Sequence, residues 1–305
     1  MLLGHLFEYV VFSSAGSLLR LFPLKVVQKM GAAAGVFVGV TLGYRRSVTM
    51  ENLHNAFPEY GAKELQAIMR GAFRSVGIAL FEFVYFPRLT KTAVNDLIQV
   101  SNSELVREVY ARGKGVILLT AHFGNWELLA QSIPAGMGIP VHVIVKPQAN
   151  KRVDKQINAW RTMLGNIAVP MESAVRELLK ALRDKKAIGI VGDQAAAKES
   201  LSVAFFGREV PTFEGPAMFS LKTKAPLLAG FAVRQKDGTY RAEFHEVPSS
   251  DLAAYTPENV MELTKRHVAI TEAVIRKHPE QWMWMHKRWK HVPSRIVPSQ
   301  QAERV

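Results

Sequence analysis

The residues of this chain best suited to chemistry are His122 and Glu127, which stand where an apolar run ends. The run over 115–120 is short, apolar and bounded by turn residues, so it predicts a buried strand, and a helix is predicted to follow from 128. A histidine at the carboxyl end of a strand lies where open α/β sheets collect their reactive groups. If the turn between them folds back, the Glu127 carboxylate can orient the imidazole and stabilise its protonated form.

Such a pair supplies the base and the orienting group of a nucleophilic triad, but not the nucleophile itself. The chain has no cysteine, and no serine stands in this motif. We therefore expect the nucleophile to be a hydroxyl group of the substrate. A structural histidine at a strand end is the alternative, and a metal site is disfavoured because no second histidine stands nearby.

Gly124 and Asn125 precede the predicted helix, and Asn125 is predicted to cap it. Free backbone N–H groups at this helix start could stabilise a developing oxyanion, so both residues are predicted to contact substrate. Asp193 and Gln194 follow another apolar run, over 187–191. If the two strands are parallel, they end on the same side of the sheet as His122, which makes both residues candidate positioning groups for the substrate. A plain Asx-type turn is the alternative.

Three further segments have two readings each. Arg161, on a predicted helix over 154–164, could clamp a phosphate or carboxylate, or lie on a solvated helix face. The Gly- and Pro-rich segment 205–217 could let a ligand approach the backbone, or simply connect elements before a helix. The segment 281–290 alternates tryptophans with basic residues, which suits a membrane interface or core packing beside a solvated face.

The elements that must position these residues follow an α/β pattern, with a mostly parallel or mixed sheet flanked by helices. Short apolar runs cover 115–120, 141–145, 187–191, 226–233 and 240–247. The last two flank Lys236-Asp237-Gly238 and are predicted to form an antiparallel pair at one edge of the sheet. Residues 48–98 are predicted to be helical, and a further helix is predicted over 256–277, with Thr256 as cap and Pro257 first.

The chain is both basic and apolar, with a net charge of +13 and 48% hydrophobic residues over 305 positions. This combination favours an anionic membrane surface, and since no nucleic-acid-binding motif is present, no nucleic acid partner is expected. Without cysteine the chain forms no disulfides and does no thiol chemistry, which fits a reducing compartment.

Two uncharged stretches, over 9–19 and 30–44, mark the first fifty residues. Neither reaches the roughly 18 apolar residues of a spanning helix, so they predict amphipathic or re-entrant helices at a membrane interface. A single tilted span is a lesser possibility, and buried helices of a soluble domain are the alternative. A signal peptide is not expected, because a basic first region and a clean cleavage site are missing. We predict a membrane-associated helical segment over 1–48, an α/β domain over 49–295 and a loose tail over 296–305.

The ordered set of motifs resembles the late (lauroyl/myristoyl) acyltransferases of lipid A biosynthesis in Gram-negative bacteria. The matching segments are Arg45-Arg46, Asn52-Leu53, Phe57-Pro58-Glu59, Ala121-His122-Phe123-Gly124-Asn125-Trp126-Glu127, Lys146-Pro147 through Asn150, Asp154, Arg161, Gly192-Asp193-Gln194, Phe206-Gly207, Pro211-Thr212-Phe213, Gly215-Pro216-Ala217, Pro279, Gln281-Trp282, Trp284 and His286-Lys287-Arg288. The family often has arginine at the position of Lys146, so no role is assigned to this lysine.

The resemblance implies a glycerolipid-acyltransferase-like α/β fold and the transfer of a fatty acyl group from an acyl carrier protein thioester to a hydroxyl of a lipid A precursor. It implies that His122 is the general base with Glu127 as its partner, and that Arg161 binds or orients a substrate. The acceptor would be a phosphorylated glycolipid, and no metal or cofactor would be needed. The protein would be located at the cytoplasmic face of the cell inner membrane. The alternatives are another lipid acceptor (glycolipid, ornithine lipid or lysophospholipid) or an acyl-CoA donor, a non-catalytic lipid- or carrier-binding membrane protein, and an esterase or thioesterase.

Overall fold

The structure, a computed structural model, describes residues 2–252 and 254–293. The helices over these residues are α1 (Leu2–Leu19), α2 (Leu24–Val36), α3 (Arg46–Ala56), α4 (Ala62–Tyr85), α5 (Lys91–Leu97), α6 (Ser103–Ala111), α7 (Trp126–Met137), α8 (Lys151–Thr162), α9 (Ala174–Arg183), α10 (Gly215–Thr223) and α11 (Pro257–Lys277). The strands are β1 (Ile98–Val100), β2 (Val116–Thr120), β3 (Val141–Val145), β4 (Ile167–Pro170), β5 (Ala187–Val191), β6 (Ser202–Phe205), β7 (Arg208–Pro211), β8 (Leu227–Arg234) and β9 (Tyr240–Glu246). The predicted loose tail lies outside the described residues.

Seven strands form one mostly parallel sheet in the order β1-β9-β8-β2-β5-β3-β4. The strands β8, β2, β5, β3 and β4 run parallel to one another, and the antiparallel pairing of β8 with β9 reverses the direction at one end. The predicted α/β class is therefore confirmed. The parallel strands are mostly apolar, with Thr120 and His142 among the exceptions, because helices cover both faces of the sheet.

Three local predictions need correction. The β8–β9 hairpin forms as expected, but it does not lie at the edge of the sheet, because the three-residue strand β1, which begins where the segment predicted to be helical ends, pairs with β9. Such a short strand has no periodicity of its own and forms only because β9 offers free backbone groups. Strand β4 was not predicted either. The first part of the Gly- and Pro-rich segment 205–217 belongs to a separate hairpin, β6–β7, whose turn residues Phe206 and Gly207 adopt positive φ.

Helix starts follow their capping residues. The side chain of Thr256 accepts a hydrogen bond from the backbone of Asn259 at 3.2 Å, and Pro257 takes the first helical position of α11, as predicted. Asn150 caps α8 in the same way, with its side-chain oxygen 3.1 Å from the backbone nitrogen of Arg152. The Asn150 cap sets where α8 begins, and therefore where Arg161 lies on its last turn.

Side chains of β2 alternate between two cores, one on each face of the sheet. Ile117 and Leu119 pack with α9, α10 and α11 on one face, while Leu118 packs with α7 and α5 on the other. This alternation follows from the two-residue period of a strand. Residues of odd and even number along β2 and β5 therefore face different sets of helices, which decides which of them can line a site beside α7.

Helices α1 and α2 expose a large apolar surface; α2 packs on α4, and α1 packs on α4 and α8. Gly31 and Gly35 on α2 meet Gly77 on α4, where a Cβ on any of the three would run into the facing backbone. The exposed apolar residues of this surface include Leu6, Phe7, Val10, Val11, Leu18, Leu21, Phe22, Val26, Met30, Phe37, Val38 and Leu42.

The continuous helix Leu24–Thr41, whose end is one π-helical turn, is long and apolar enough to cross a membrane, judged by length and composition alone. Its mean hydropathy is 1.2, and 22% of it is buried. From the sequence, each uncharged stretch alone was too short to span a membrane. The helix reaches a spanning length because it continues through two lysines. Core helices of soluble proteins and signal sequences can show the same length and hydropathy, so the helix is compatible with membrane association and does not require it.

Candidate active site

The turn between β2 and α7 presents His122. Gly124 adopts a φ of 55°, and a Cβ there would clash with the backbone oxygen of Ala232 on β8. Its N–H donates to the backbone oxygen of Gln281 at 2.9 Å, and the Asn125 side chain caps α7 by accepting from Leu128 N–H at 2.9 Å. The capping prediction is confirmed. Gly124 and Asn125 both build this turn, and neither lines the neighbouring cavity; their contact with substrate stays a prediction.

The buried carboxylate of Glu82 stabilises the same turn by hydrogen bonding. It accepts hydrogen bonds from the side chains of Asn125 at 2.7 Å, Gln28 at 2.7 Å and Tyr240 at 2.6 Å. Arg234 forms an ion pair with it at 3.2 Å. Burial of Tyr240, followed by the negative charge of Glu82, raises the pKa of its phenol well above the usual range. This network ties α2, α4 and the β8–β9 pair to the start of α7.

His122 is oriented by Asp193, not by Glu127. Strands β2 and β5 are parallel neighbours, so the residues that follow them meet at the same edge of the sheet, as predicted for Asp193. The His122 ring nitrogen Nδ1 lies 2.7 Å from Asp193 Oδ1, and the His122 backbone N–H donates to Oδ2 at 2.9 Å. The prediction that Glu127 orients the imidazole is therefore wrong: α7 begins at Trp126, and its first turn directs Glu127 towards α8 instead.

Trp282 is a site residue that the sequence did not reveal. Its indole Nε1–H donates to Asp193 Oδ2 at 2.7 Å, so the carboxylate is held from three directions. The segment around it also fixes the turn, since the backbone N–H of Met283 donates to the His122 oxygen at 3.0 Å. The tryptophans Trp282, Trp284 and Trp289 are buried. Of the two interpretations of this segment, a membrane interface and core packing, the burial agrees with core packing. Most buried indole N–H groups have a hydrogen-bond partner, and that tendency was the available clue.

The charges of His122 and Asp193 support each other. Burial lowers the pKa of His122, but the charge and hydrogen bond of Asp193 outweigh it, so that the pKa lies above its ordinary value, with Glu127 adding a smaller contribution. Burial likewise raises the pKa of Asp193, yet the charge of His122 and the hydrogen bonds from His122 and Trp282 bring it below its ordinary value. The side chains are 19% and 5% exposed, so water screens the pair weakly.

This arrangement assigns the roles of the two imidazole nitrogens. Nδ1 carries the proton that it donates to Asp193, which leaves Nε2 as an acceptor. The amide nitrogen of Gln194 lies 3.4 Å from Nε2, so Gln194 also stands at the site where it was predicted. A neutral imidazole with an outward acceptor nitrogen is the state of a general base.

Glu127 and Arg161 form a second charged pair beside the first. Arg161 Nη2 lies 2.6 Å from Glu127 Oε1, and Arg161 Nε lies 3.1 Å from both carboxylate oxygens. The Gln131 side chain donates to the Arg161 backbone oxygen at 2.6 Å and links α7 to the end of α8. The side chains of Glu127 and Arg161 are 18% and 23% exposed, so this pair stays accessible to a ligand. A role of Arg161 towards substrate stays a prediction.

A cavity of about 620 Å³ opens beside these groups, between α7 and the sheet. His122, Glu127, Arg161 and Gln194 line it, and the rest of its wall is mostly aliphatic and aromatic. The volume and the apolar lining with a few convergent polar groups are typical of a small-molecule or lipid-chain site. Over the described ranges, no three His, Asp or Glu side chains are grouped so as to hold a metal ion.

Comparison with known proteins agrees with this geometry. Residues 3–291 match the family of bacterial lipid A biosynthesis acyltransferases. The chain is 26% identical over 280 residues to the lipid A biosynthesis palmitoleoyltransferase of Escherichia coli (strain K12), covering 89% of this chain and 87% of the relative. It is 25% identical over 277 residues to the lauroyltransferase of the same organism, with coverages of 90% and 88%.

A more distant relative is the phosphatidylinositol mannoside acyltransferase of Mycolicibacterium smegmatis, 20% identical over 226 residues, with coverages of 73% and 72%. The family match spans the turn, both charged pairs and the cavity, and the relatives are named as enzymes that transfer acyl groups. The chain belongs to the bacterial lipid A biosynthesis acyltransferase family.

Proposed function

We propose that this acyltransferase moves a fatty acyl group from an acyl carrier protein thioester to a hydroxyl group of a lipid A precursor, with His122 as the general base. The observation that carries the proposal is the His122–Asp193 pair, 2.7 Å apart, whose histidine lines a mostly apolar cavity. The cavity suits an acyl chain, and the pair suits the removal of a proton from an alcohol.

In the proposed reaction the acceptor hydroxyl binds to His122 Nε2 and attacks the carbonyl carbon of the thioester. Its proton passes to Nε2 as the new C–O bond forms, and Asp193 stabilises the resulting imidazolium. The C–S bond of the tetrahedral intermediate then breaks, and the departing thiolate takes the proton from Nε2. The enzyme returns to its starting state, so a single base serves both steps.

The tetrahedral intermediate needs positive potential near its oxyanion. Residues at the start of α7 and Arg161 line the same cavity as His122. The helix N-terminus and the guanidinium are the proposed sources of this potential. Glu127 fixes Arg161 through its bidentate contact, so Glu127 would act on the reaction through the position of Arg161 and through its own charge. This role replaces the direct contact with His122 expected from the sequence.

The partners follow from charge and apolar surface. A net charge of +13 suits an acidic carrier protein, anionic lipid and a phosphorylated glycolipid acceptor. The exposed apolar residues of α1 and α2 suit insertion into the cytoplasmic face of the inner membrane, with residues 1–48 as the membrane-associated segment. In this arrangement donor and acceptor meet at the membrane surface.

The test is mass spectrometry of lipid A from a Gram-negative strain that lacks its own late acyltransferases and expresses this protein. We expect one added acyl mass with the wild type and none with His122→Ala. His54→Ala is the matched control, because His54 lies on α3 outside the cavity. Purified protein is then assayed with acyl carrier protein and CoA thioesters and several acceptors, phosphatidylinositol mannoside included.

The outcomes separate the alternatives. Transfer to another lipid but not to the lipid A precursor would refute the proposal that the acceptor is a lipid A precursor. A preference for CoA thioesters would refute acyl carrier protein as the source of the acyl group. Fatty acid released without an acceptor would indicate an esterase or thioesterase. Turnover by His122→Ala at the wild-type rate would refute the assignment of the base.

A further inference from the structure

Gly189 lies in the middle of β5, in the wall of the cavity that contains His122. It pairs with Leu118 of β2 on one side and with Val143 of β3 on the other. Both neighbours line the same cavity. Because residues level with one another in a parallel sheet point to the same face, Gly189 forms the centre of the cavity floor beneath α7.

The floor at Gly189 is bare backbone. A Cβ placed there would lie 3.1 Å from Cγ1 of Val141 and 3.2 Å from Cγ1 of Val143, close contacts with the ends of two side chains. Any longer side chain at this position would have to extend into the cavity. Glycine weakens the interior of a strand, and its presence there often marks a site where a ligand approaches the backbone closely.

The depth of Gly189 below the reacting group follows from the strand register. Leu118, which is level with Gly189, precedes His122 by four residues, or about 13 Å at about 3.3 Å per residue. An extended chain advances about 1.2 Å per covalent bond, since the three backbone bonds of one residue span about 3.3–3.6 Å. A chain whose carbonyl carbon lies at His122 therefore reaches Gly189 at roughly its twelfth carbon.

We propose that Gly189 sets the length of acyl chain that this enzyme accepts, by leaving the cavity open beyond that depth. The inference rests on the proposed function, in which this cavity takes the acyl chain of the donor. Val141, which pairs with Ala187 two residues before Gly189, also lines the cavity, so the cavity continues past Gly189 in the direction away from His122. A side chain at position 189 would exclude the methylene groups that otherwise bind there, and each of them is worth about fourfold in affinity.

The test compares Gly189→Ala, Gly189→Val and Gly189→Leu with the wild type. The donors are acyl carrier protein thioesters of saturated chains from about eight to about sixteen carbons, a range centred on the depth of Gly189. With Gly189→Leu we expect kcat/KM for the longest chains to fall at least about tenfold relative to the shortest, since two or more methylenes lose burial. Gly189→Ala and Gly189→Val are expected to fall between Gly189→Leu and the wild type.

Two further variants separate cavity shape from stability. Val143→Ala enlarges the same part of the cavity and is expected to raise kcat/KM for the longest chains relative to the shortest. Ile188→Val is the matched control, because Ile188 is fully buried on the opposite face of the same strand and does not line the cavity. It is expected to lower stability without changing the preference for chain length.

Displacement of a fluorescent fatty acid by free fatty acids of graded length reads the cavity without turnover. If Gly189→Leu shortens the preferred fatty acid while the wild type transfers nothing to a lipid A precursor, the proposed function fails and the inference about Gly189 stands. If the wild type transfers acyl chains but the Gly189 variants and Val143→Ala keep its chain-length preference, the inference is overturned.

Discussion

Replacing Asp193 with asparagine changes one carboxylate oxygen to an amide nitrogen at nearly constant volume. The remaining oxygen can still accept the hydrogen bonds from Trp282 Nε1 and the His122 backbone, at 2.7 and 2.9 Å in the native protein. The new NH₂ group would then face His122 Nδ1 as a donor, and Nδ1 would have to accept. The ring proton would move to Nε2, the nitrogen that must take the proton of the substrate.

The expected loss in kcat for Asp193→Asn is about 10³- to 10⁴-fold, the size seen when a triad aspartate is changed and the wrong tautomer results. This corresponds to roughly 4 to 5.5 kcal/mol of activation free energy. The fold should survive, because two of the three hydrogen bonds remain. The assay is steady-state transfer from an acyl carrier protein thioester, with circular dichroism and thermal unfolding to check folding.

The pH dependence sharpens the same test. Only the neutral imidazole accepts a proton, so kcat/KM of the wild type should rise with pH around a midpoint above 6.5, since Asp193 raises the pKa of His122 despite burial. Without the carboxylate the effect of burial remains and the midpoint should fall. Glu127→Gln is the comparison variant, because it leaves the His122–Asp193 contact in place. If Asp193→Asn retains activity within about tenfold of wild type, or Glu127→Gln shifts the midpoint further, the assignment of Asp193 as the orienting group is refuted.

Three further predictions concern the groups that hold the site. Trp282→Phe removes a hydrogen bond to a buried carboxylate and should cost about 1.5 to 3 kcal/mol in urea unfolding, more than Trp284→Phe, whose indole donates to a neutral carbonyl; equal losses would contradict a special role for Trp282. Gly124→Ala should cost more than about 2 kcal/mol because strain at positive φ adds to a backbone clash, whereas Gly113→Ala, at a φ of 69° with open space around it, should cost about 1 kcal/mol. Thermal unfolding measures both, and similar values would contradict the clash. Glu82→Gln leaves a buried arginine without its ion pair and should cost about 3 kcal/mol or more; a loss below about 1 kcal/mol would show that the network adjusts freely.

Much of the site could be predicted from local pattern. An apolar run followed by His122, and a cap at Asn125 before an apolar helix, are features within a dozen residues, and they identify a strand, a turn and a helix. The position of Asp193 at the same edge followed from a general property of parallel strands. The helix over 256–277 was predicted correctly for a similar reason, because its cap and first proline are adjacent in sequence.

Other features depend on contacts between distant segments. The short strand β1 forms only because β9 lies beside it, and the residues Ile98–Val100 alone do not predict a strand. Trp282 reaches Asp193 across 89 residues of sequence, so its position in a run of aromatic and basic residues could not distinguish a membrane-facing indole from one that holds a carboxylate.

The sequence by itself determined that an imidazole follows a buried strand of an α/β protein, because strand, turn and cap are specified by neighbouring residues. The tertiary structure decided which carboxylate meets that imidazole. Glu127 is five residues away along the chain, but the direction of α7 turns it to Arg161, while the pairing of β2 with β5 brings in Asp193 from 71 residues away. Hydrogen bonds depend on distance and direction in space, and for this site both are set by strand pairing and helix packing.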